Sequence, residues 1–410
     1  MLASLVDEGS GASPSVGSSE RRPTLLELSL LFLRLGLTAF GGPAAHIAMM
    51  RAEFVERGKW LSQEEFLDLL GASNLVPGPS STELAIHIGY RKAGWPGLFA
   101  AGICFILPAM LLVMGIAWAY VRFGHLPQIA GILYGVKPAV MVIIAQALWN
   151  LGRSAIKTPF LAGVGITATI AAFLGLSPLL VLFGAGALTG GKHRATRKEH
   201  GGMAPLLSLV GLIAALVAVP LLVGKYGVSS SVVGTKSLFW IFLKFGSIVY
   251  GSGYVLLAFL RTDLVARLHW LTSAQLLDSI AVGQVTPGPV FTTATFIGYV
   301  LGGPTGAIVA TVGMFLPAFV FVGISGPLVR GLRASPLAGA FLDGVNVASL
   351  ALMAVVTWEL GRAALVNGVT VAIALSSALL LFRYRVNTAW LVLAGACIGL
   401  AASMSTFWKI

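Results

Sequence analysis

Runs of about 20 apolar residues recur along this chain, each long enough to cross a hydrocarbon core of about 30 Å as a helix. That recurrence leaves few folds open. Residues are 57% hydrophobic and 10% charged, against roughly 45–50% and about 25% in soluble domains, so the main solvent is lipid. In lipid every backbone polar group must be paired within the chain, which leaves only helices or closed barrels. Leu, Ala, Val, Gly and Ile run continuously rather than alternating with polar residues, which excludes a barrel. The expectation is an all-α polytopic membrane protein.

The chain is also a duplicate. A shift of 210 residues carries Gly36 onto Gly246, Gly41 onto Gly251, Arg51 onto Arg261, Glu53 onto Asp263, Trp60 onto Trp270, Asp68 onto Asp278, and Pro77-Gly78-Pro79 onto Pro287-Gly288-Pro289. With one residue deleted the match continues through Gly89-Tyr90 on Gly298-Tyr299 to Trp149 on Trp358. Four parts result: a disordered cytoplasmic tail (1–24), a first repeat (25–190), a basic linker with a linking transmembrane helix (191–236, apolar at 205–223), and a second repeat (237–410). Each repeat reads as six passes, beginning with 25–47 and 66–90 in the first. An even number of passes plus one linking pass turns the second repeat upside down. Charge supports this: with the N-terminus cytoplasmic, 16 of the 27 Lys and Arg fall inside, among them Arg91, Lys92, Arg153, Lys157, Arg261, Arg267, Arg383 and Arg385, against eight outside, among them Arg51, Arg57 and Lys59, an excess in the sense of the positive-inside rule. The net charge of +12 is thereby explained by loops rather than by nucleic acid. Cys104 and Cys397 lie in apolar runs without metal-binding neighbours and read as core residues, and no metal, cofactor or catalytic cluster is indicated.

Proline removes a helical N–H and pushes its predecessor out of the α region, so each Pro-Gly-Pro breaks a helix in mid-span. Matched Gly/Pro interruptions in inverted repeats point to a transport site near the midplane. The half-helices starting at Pro79 and Pro289 would present free N–H groups and a positive dipole end to an anion. Gly78 and Gly288 belong to these breaks, Ser80, Ser81, Thr82, Thr292 and Thr293 are expected to add hydroxyl donors, and the matched amides Asn74 and Gln284 precede the breaks by three residues. Arg34 and Lys244 are matched cations within first passes, where a charge calls for a cavity or a partner. Beside them, Gly41, Gly42 and Gly251 permit close backbone approach. Glu83 has no acidic counterpart and is expected either to carry a proton or to pair with His87 one turn later. Arg51 with Glu53, and Arg261 with Asp263, read as loop anchors.

Phe40-Gly41-Gly42-Pro43, Arg51, Trp60 and the two Pro-Gly-Pro motifs together resemble the chromate ion transporter family, in its long two-repeat form. The resemblance implies a chromate exporter of a bacterial cytoplasmic membrane that confers chromate resistance, with the anion and the lipid bilayer as partners and a homodimer compatible with it. The second repeat departs from the pattern at Tyr250-Gly251-Ser252-Gly253. On the residues alone, a sulfate or other small-anion carrier, a membrane enzyme, and a non-transporting scaffold or sensor stay open. No phosphate-binding nucleotide loop is present in the sequence, which points away from an ATP-driven pump.

Overall fold

A computed structural model describes the chain except for residues 1–22, 41, 75–76, 125, 197–232, 250–254, 334–335, 385 and 408–410. The tail, the linking segment 205–223, Gly41 and Gly251 therefore lie outside the described residues. Every regular element among the described residues is helical. The first repeat contains α1 (Leu25–Thr38), α2 (Gly42–Arg51) continued by a wide turn (Ala52–Arg57), α3 (Gln63–Ser73), α4 (Ser80–Phe123), α5 (Pro127–Ala155), α6 (Pro159–Phe173) and α7 (Pro178–Thr196). The second contains α8 (Thr235–Ile248), α9 (Val255–Leu260) with its own wide turn (Arg261–Arg267), α10 (Ser273–Val285), α11 (Thr293–Arg333) after a single tight turn (Val290–Thr292), α12 (Pro336–Ala364), α13 (Gly368–Arg383) and α14 (Thr388–Phe407). Local sequence starts these helices in matched ways. Ser62 and Thr272 cap α3 and α10, each exchanging hydrogen bonds with the residue three positions on, Glu65 or Gln275, which satisfies two otherwise orphaned N–H groups.

The two repeats are inverted. The equivalent helices α5 and α12 lie antiparallel: Lys157, just past the end of α5, bonds Asp343 near the start of α12 at 2.8 Å. Asn367, just past the end of α12, accepts from Tyr134 near the start of α5 at 2.7 Å. Each long helix then docks on the other repeat. Gly131 and Gly135 of α5 meet Gly395 and Gly399 of α14, and Gly344 of α12 meets Ala185 and Thr189 of α7. Small residues are what lipid-embedded helices need there, since apolar burial gives no net drive in lipid and close backbone contact must replace it.

The first two expected passes of each repeat are not single rods. Phe32 of α1 packs on Phe54 with ring centroids 5.2 Å apart, so the chain turns back between α1 and α2. Arg91 reaches Glu65 at 2.9 Å, so it turns back again at Pro77-Gly78-Pro79. Each is a re-entrant hairpin. The second limb of α4 leaves by a sharp turn at Ala93-Gly94, as that of α11 does at Gly302-Gly303; Gly94 and Gly303 sit at φ +61° and +62°, where a side chain would be strained. Hairpins that return to their own face move Arg51, Arg57 and Lys59 to the face on which α1 starts, and Arg261 and Arg267 to the opposite one, correcting the sides assigned from the sequence. The physical reason is that hydropathy sees an interrupted apolar run but not its reversal. Among the described residues four helices are long and apolar enough to span a membrane, at 80–123, 127–155, 290–324 and 336–364, with shorter apolar helices at 159–173, 368–383 and 388–404.

Candidate functional site

Hairpin limbs of 14 residues in α1 and 11 in α3 reach about 16–21 Å at 1.5 Å per residue, about half to two-thirds of a hydrocarbon core. Their tips, entering from opposite faces, meet in the middle. The meeting is reciprocal. Gly78 N–H donates to Val249 O at 2.7 Å, and Gly288 N–H donates to Ala39 O at 2.9 Å, so each Pro-Gly-Pro tip is bonded to the first-hairpin tip of the other repeat. Glycine is required at both. Gly78 has φ +143° and Gly288 φ +86°, and a Cβ on Gly288 would lie 2.6 Å from that of Ala109.

In the first repeat, α4 starts from Pro79, whose carbonyl accepts from Thr82 and Glu83 N–H at 2.7 and 2.9 Å. Ser80, Ser81, Thr82 and Glu83 are buried in its first turn. His46 of α2, 1% exposed, links the tips: Nε2–H donates to Ala39 O at 3.0 Å, and Nδ1 lies 3.2 Å from Ser81 Oγ. A neutral ring with its proton on Nε2 accepts there from the serine. Sequence reasoning missed His46; its signal was a titratable residue in the apolar run after Gly42-Pro43, facing Leu256 in the duplicate. Glu83 is fully buried, and neither carboxylate oxygen has a hydrogen-bond partner, so the expected pairing with His87 is not made.

The second break is chemically different. Thr292 and Thr293 turn their hydroxyls onto Pro289 O and Val290 O, both at 2.8 Å, so these two do not offer the free donors expected of them. His46, Ser81 and Glu83 are matched there by Leu256, Phe291 and Thr293. Gln284 is half-buried one turn before the tip, and Asn74 is exposed at the end of α3.

The matched cations differ as well. Lys244 bonds Asp263 at 2.6 Å with side chains only 12% and 7% exposed. Arg34 approaches the repeat-related Glu53 at 3.9 Å and is 64% exposed. Glu53 and Asp263 also bind Arg57 and Arg267 one turn on, while Arg51 and Arg261 reach Glu56 at 3.8 Å and Glu359 at 2.7 Å, so these residues pin the hairpins to their neighbours. A further contact, not foreseen, crosses the repeats: Lys137 of α5 bonds Asp278 of α10 at 2.9 Å, and Tyr120 of α4 donates to the same carboxylate at 3.0 Å. Among the described residues no cluster of three or more His, Cys, Asp or Glu could hold a metal.

Two inverted copies, crossed at glycine tips, form a recurrent pattern, and the chain matches the family model described as chromate transporter twice, over 26–190 and 236–400. The chain belongs to the chromate transporter family. It is 33% identical over 402 residues to a chromate transport protein of Cupriavidus metallidurans, covering 95% of this chain and 96% of the relative. It is 34% identical over 384 residues to a chromate transport protein of Pseudomonas aeruginosa, covering 91% of each. An uncharacterized transporter of Bacillus subtilis matches at 34% over 130 residues, 32% of this chain but 73% of the relative. That relative is therefore about one repeat long. No solved structure matches. This family member is a multi-pass membrane protein.

Proposed function

We propose that this chromate transporter family member carries chromate outward across the bacterial cytoplasmic membrane, through the junction of its hairpin tips, and so confers chromate resistance. The observation that carries the reading is the reciprocal pair of bonds, Gly78 to Val249 and Gly288 to Ala39. It brings broken helices from both repeats to one place, and irregular backbone at membrane depth is tolerated where it lines a passage. Relatives covering nearly the whole chain bear the name chromate transport protein, and this supports the substrate. The first-repeat break is the anion site in this reading: the start of α4, with Ser80 and Ser81 in its first turn, supplies donors, and the exposed Arg34 supplies charge. Gly42, Gly78 and Pro79 shape its walls; Lys244, Gly288, Pro289 and Thr292 form the scaffold opposite, and Asn74 and Gln284 border the two ends.

The face carrying Arg51, Arg57, Lys59, Arg91 and Lys92 is cytoplasmic by the positive-inside rule. An inside-negative potential then drives a dianion outward, at roughly 2.3 kcal/mol per charge per 100 mV, without nucleotide. The test is labelled chromate flux in proteoliposomes containing the full chain, under an imposed potential. Chromate should move toward the positive side, with excess sulfate competing only weakly. Absence of chromate flux in either direction refutes the reading, and sulfate moving faster than chromate would make the chain a sulfate carrier.

A further inference from the structure

The first-repeat break holds a carboxyl that the anion reading leaves unused. Glu83 is 0% exposed, and both its oxygens lack partners. Its Oε1 folds back over Gly78, occupying the space a side chain there would need. The groups around it are few. From α2, His46 is committed to Ala39 O and Ser81 Oγ. On the same helix, His87 lies one turn on and is 7% exposed. From α8, whose Gly246 carbonyl borders Gly78, the nearest cation is Lys244, held by Asp263. From α1, Arg34 leans toward Glu53. No described cation pairs with Glu83, and Thr293 at the matched position cannot titrate in this range.

An oxyanion received by the first turn of α4 would lie on the same turn as this carboxyl, and two anions sharing a buried site cannot both stay ionised. We propose that Glu83 is the proton-binding group of the transport cycle: its carboxyl is held protonated while the anion is bound, and exchanges that proton with the aqueous phase when the site is empty. The anion itself is unchanged; one O–H bond forms on Glu83 and later breaks. The protonated carboxyl then offers the anion a donor instead of a competing charge. The second repeat, with Thr293 there, moves no proton. This rests on the first-repeat break being the anion site.

The experiment is chromate binding to the full chain in lipid nanodiscs, by calorimetry in alkaline buffers of differing ionisation enthalpy, where free chromate is a dianion. The wild type should take up about one proton per bound anion, and its affinity should fall about tenfold per pH unit, the slope that linkage to a single proton gives. Glu83→Gln, and Glu83→Thr with the residue of the second repeat, should bind with no proton uptake and no slope. Binding without proton uptake in the wild type overturns this inference and leaves the anion site standing. No binding at all overturns both. Should neither Glu83 variant show a melting transition, His87→Gln decides the assignment: the slope must survive in it, and its loss overturns the assignment.

Discussion

Asp263→Asn should destabilise this protein several times more than Glu53→Gln, although the two acids are related by the duplication. Lys244 and Asp263 are 12% and 7% exposed at 2.6 Å, so neutralising the acid strands a buried ammonium, a change that typically costs about 3–5 kcal/mol. Glu53 meets two arginines that are 64% and 68% exposed, and exposed pairs contribute about 0–1 kcal/mol. At roughly 2 °C per kcal/mol for a large domain, the apparent melting temperature should fall by about 6–10 °C for Asp263→Asn and by less than about 2 °C for Glu53→Gln. Tryptophan fluorescence on thermal ramps of both purified variants, at equal lipid and salt, gives the comparison. Equal shifts would refute the argument that burial, not repeat position, decides what these acids do.

Arg34→Ala should raise the half-saturating chromate concentration about ten- to hundredfold, the loss of one charged hydrogen bond of about 1.5–3 kcal/mol, with little change in melting temperature; unchanged flux kinetics would remove Arg34 from the site. Gly288→Ala should cut flux sharply, because the left-handed backbone alone costs a side chain roughly 1–2 kcal/mol and the methyl would meet Ala109 at 2.6 Å; wild-type flux would show that the tip contact is dispensable. Glu65 is held below the usual carboxylate range, chiefly by the Ser62 N–H and then by Arg91. Its stabilisation of the second hairpin is therefore present above the ordinary carboxylate pKa and lost as pH falls through the depressed value. Glu65→Gln, the capping residue that the second repeat uses, should flatten this acid limb in melting curves against pH; an unchanged limb would place the titration elsewhere.

Much of this architecture can be read from residue spacing. The 210-residue register pairs Gly78 with Gly288 and Gly36 with Gly246, the same residues that meet across the repeats. The breaks were legible because proline and glycine act locally. What was not legible is long-range. Reversal between α1 and α2 depends on Phe32 meeting Phe54, and apolar periodicity is the same for a rod and for a hairpin. Equal symbols also concealed unequal roles: Arg34 and Lys244 match in the duplication, yet only packing makes one exposed and the other buried. Thr292 reads as a free donor in the sequence, yet its hydroxyl is bonded to Pro289 O, a choice set by one tight turn.

The bridge between Lys137 and Asp278 allows the sharpest separation of stability from movement. It joins α5 of one repeat to the second hairpin of the other, with side chains 20% and 6% exposed, and Tyr120 adds a donor to the same carboxylate. Removing either charge leaves the other in a dry helix junction, so Lys137→Met and Asp278→Leu should each destabilise by about 3 kcal/mol. Removing both leaves no stranded charge, since apolar side chains of similar volume often replace a buried pair without loss. The double variant should therefore recover most of the melting temperature, with a coupling of about 0.5–3 kcal/mol, the range for contacting residues. If the pair only braces the fold, chromate flux recovers with stability. If hairpins and long helices shift against each other during transport, an apolar replacement loses the directional contact that sets their register, and flux stays low in a stable protein. Additive losses in the double variant would show that the two charges do not act on each other and would sink both alternatives.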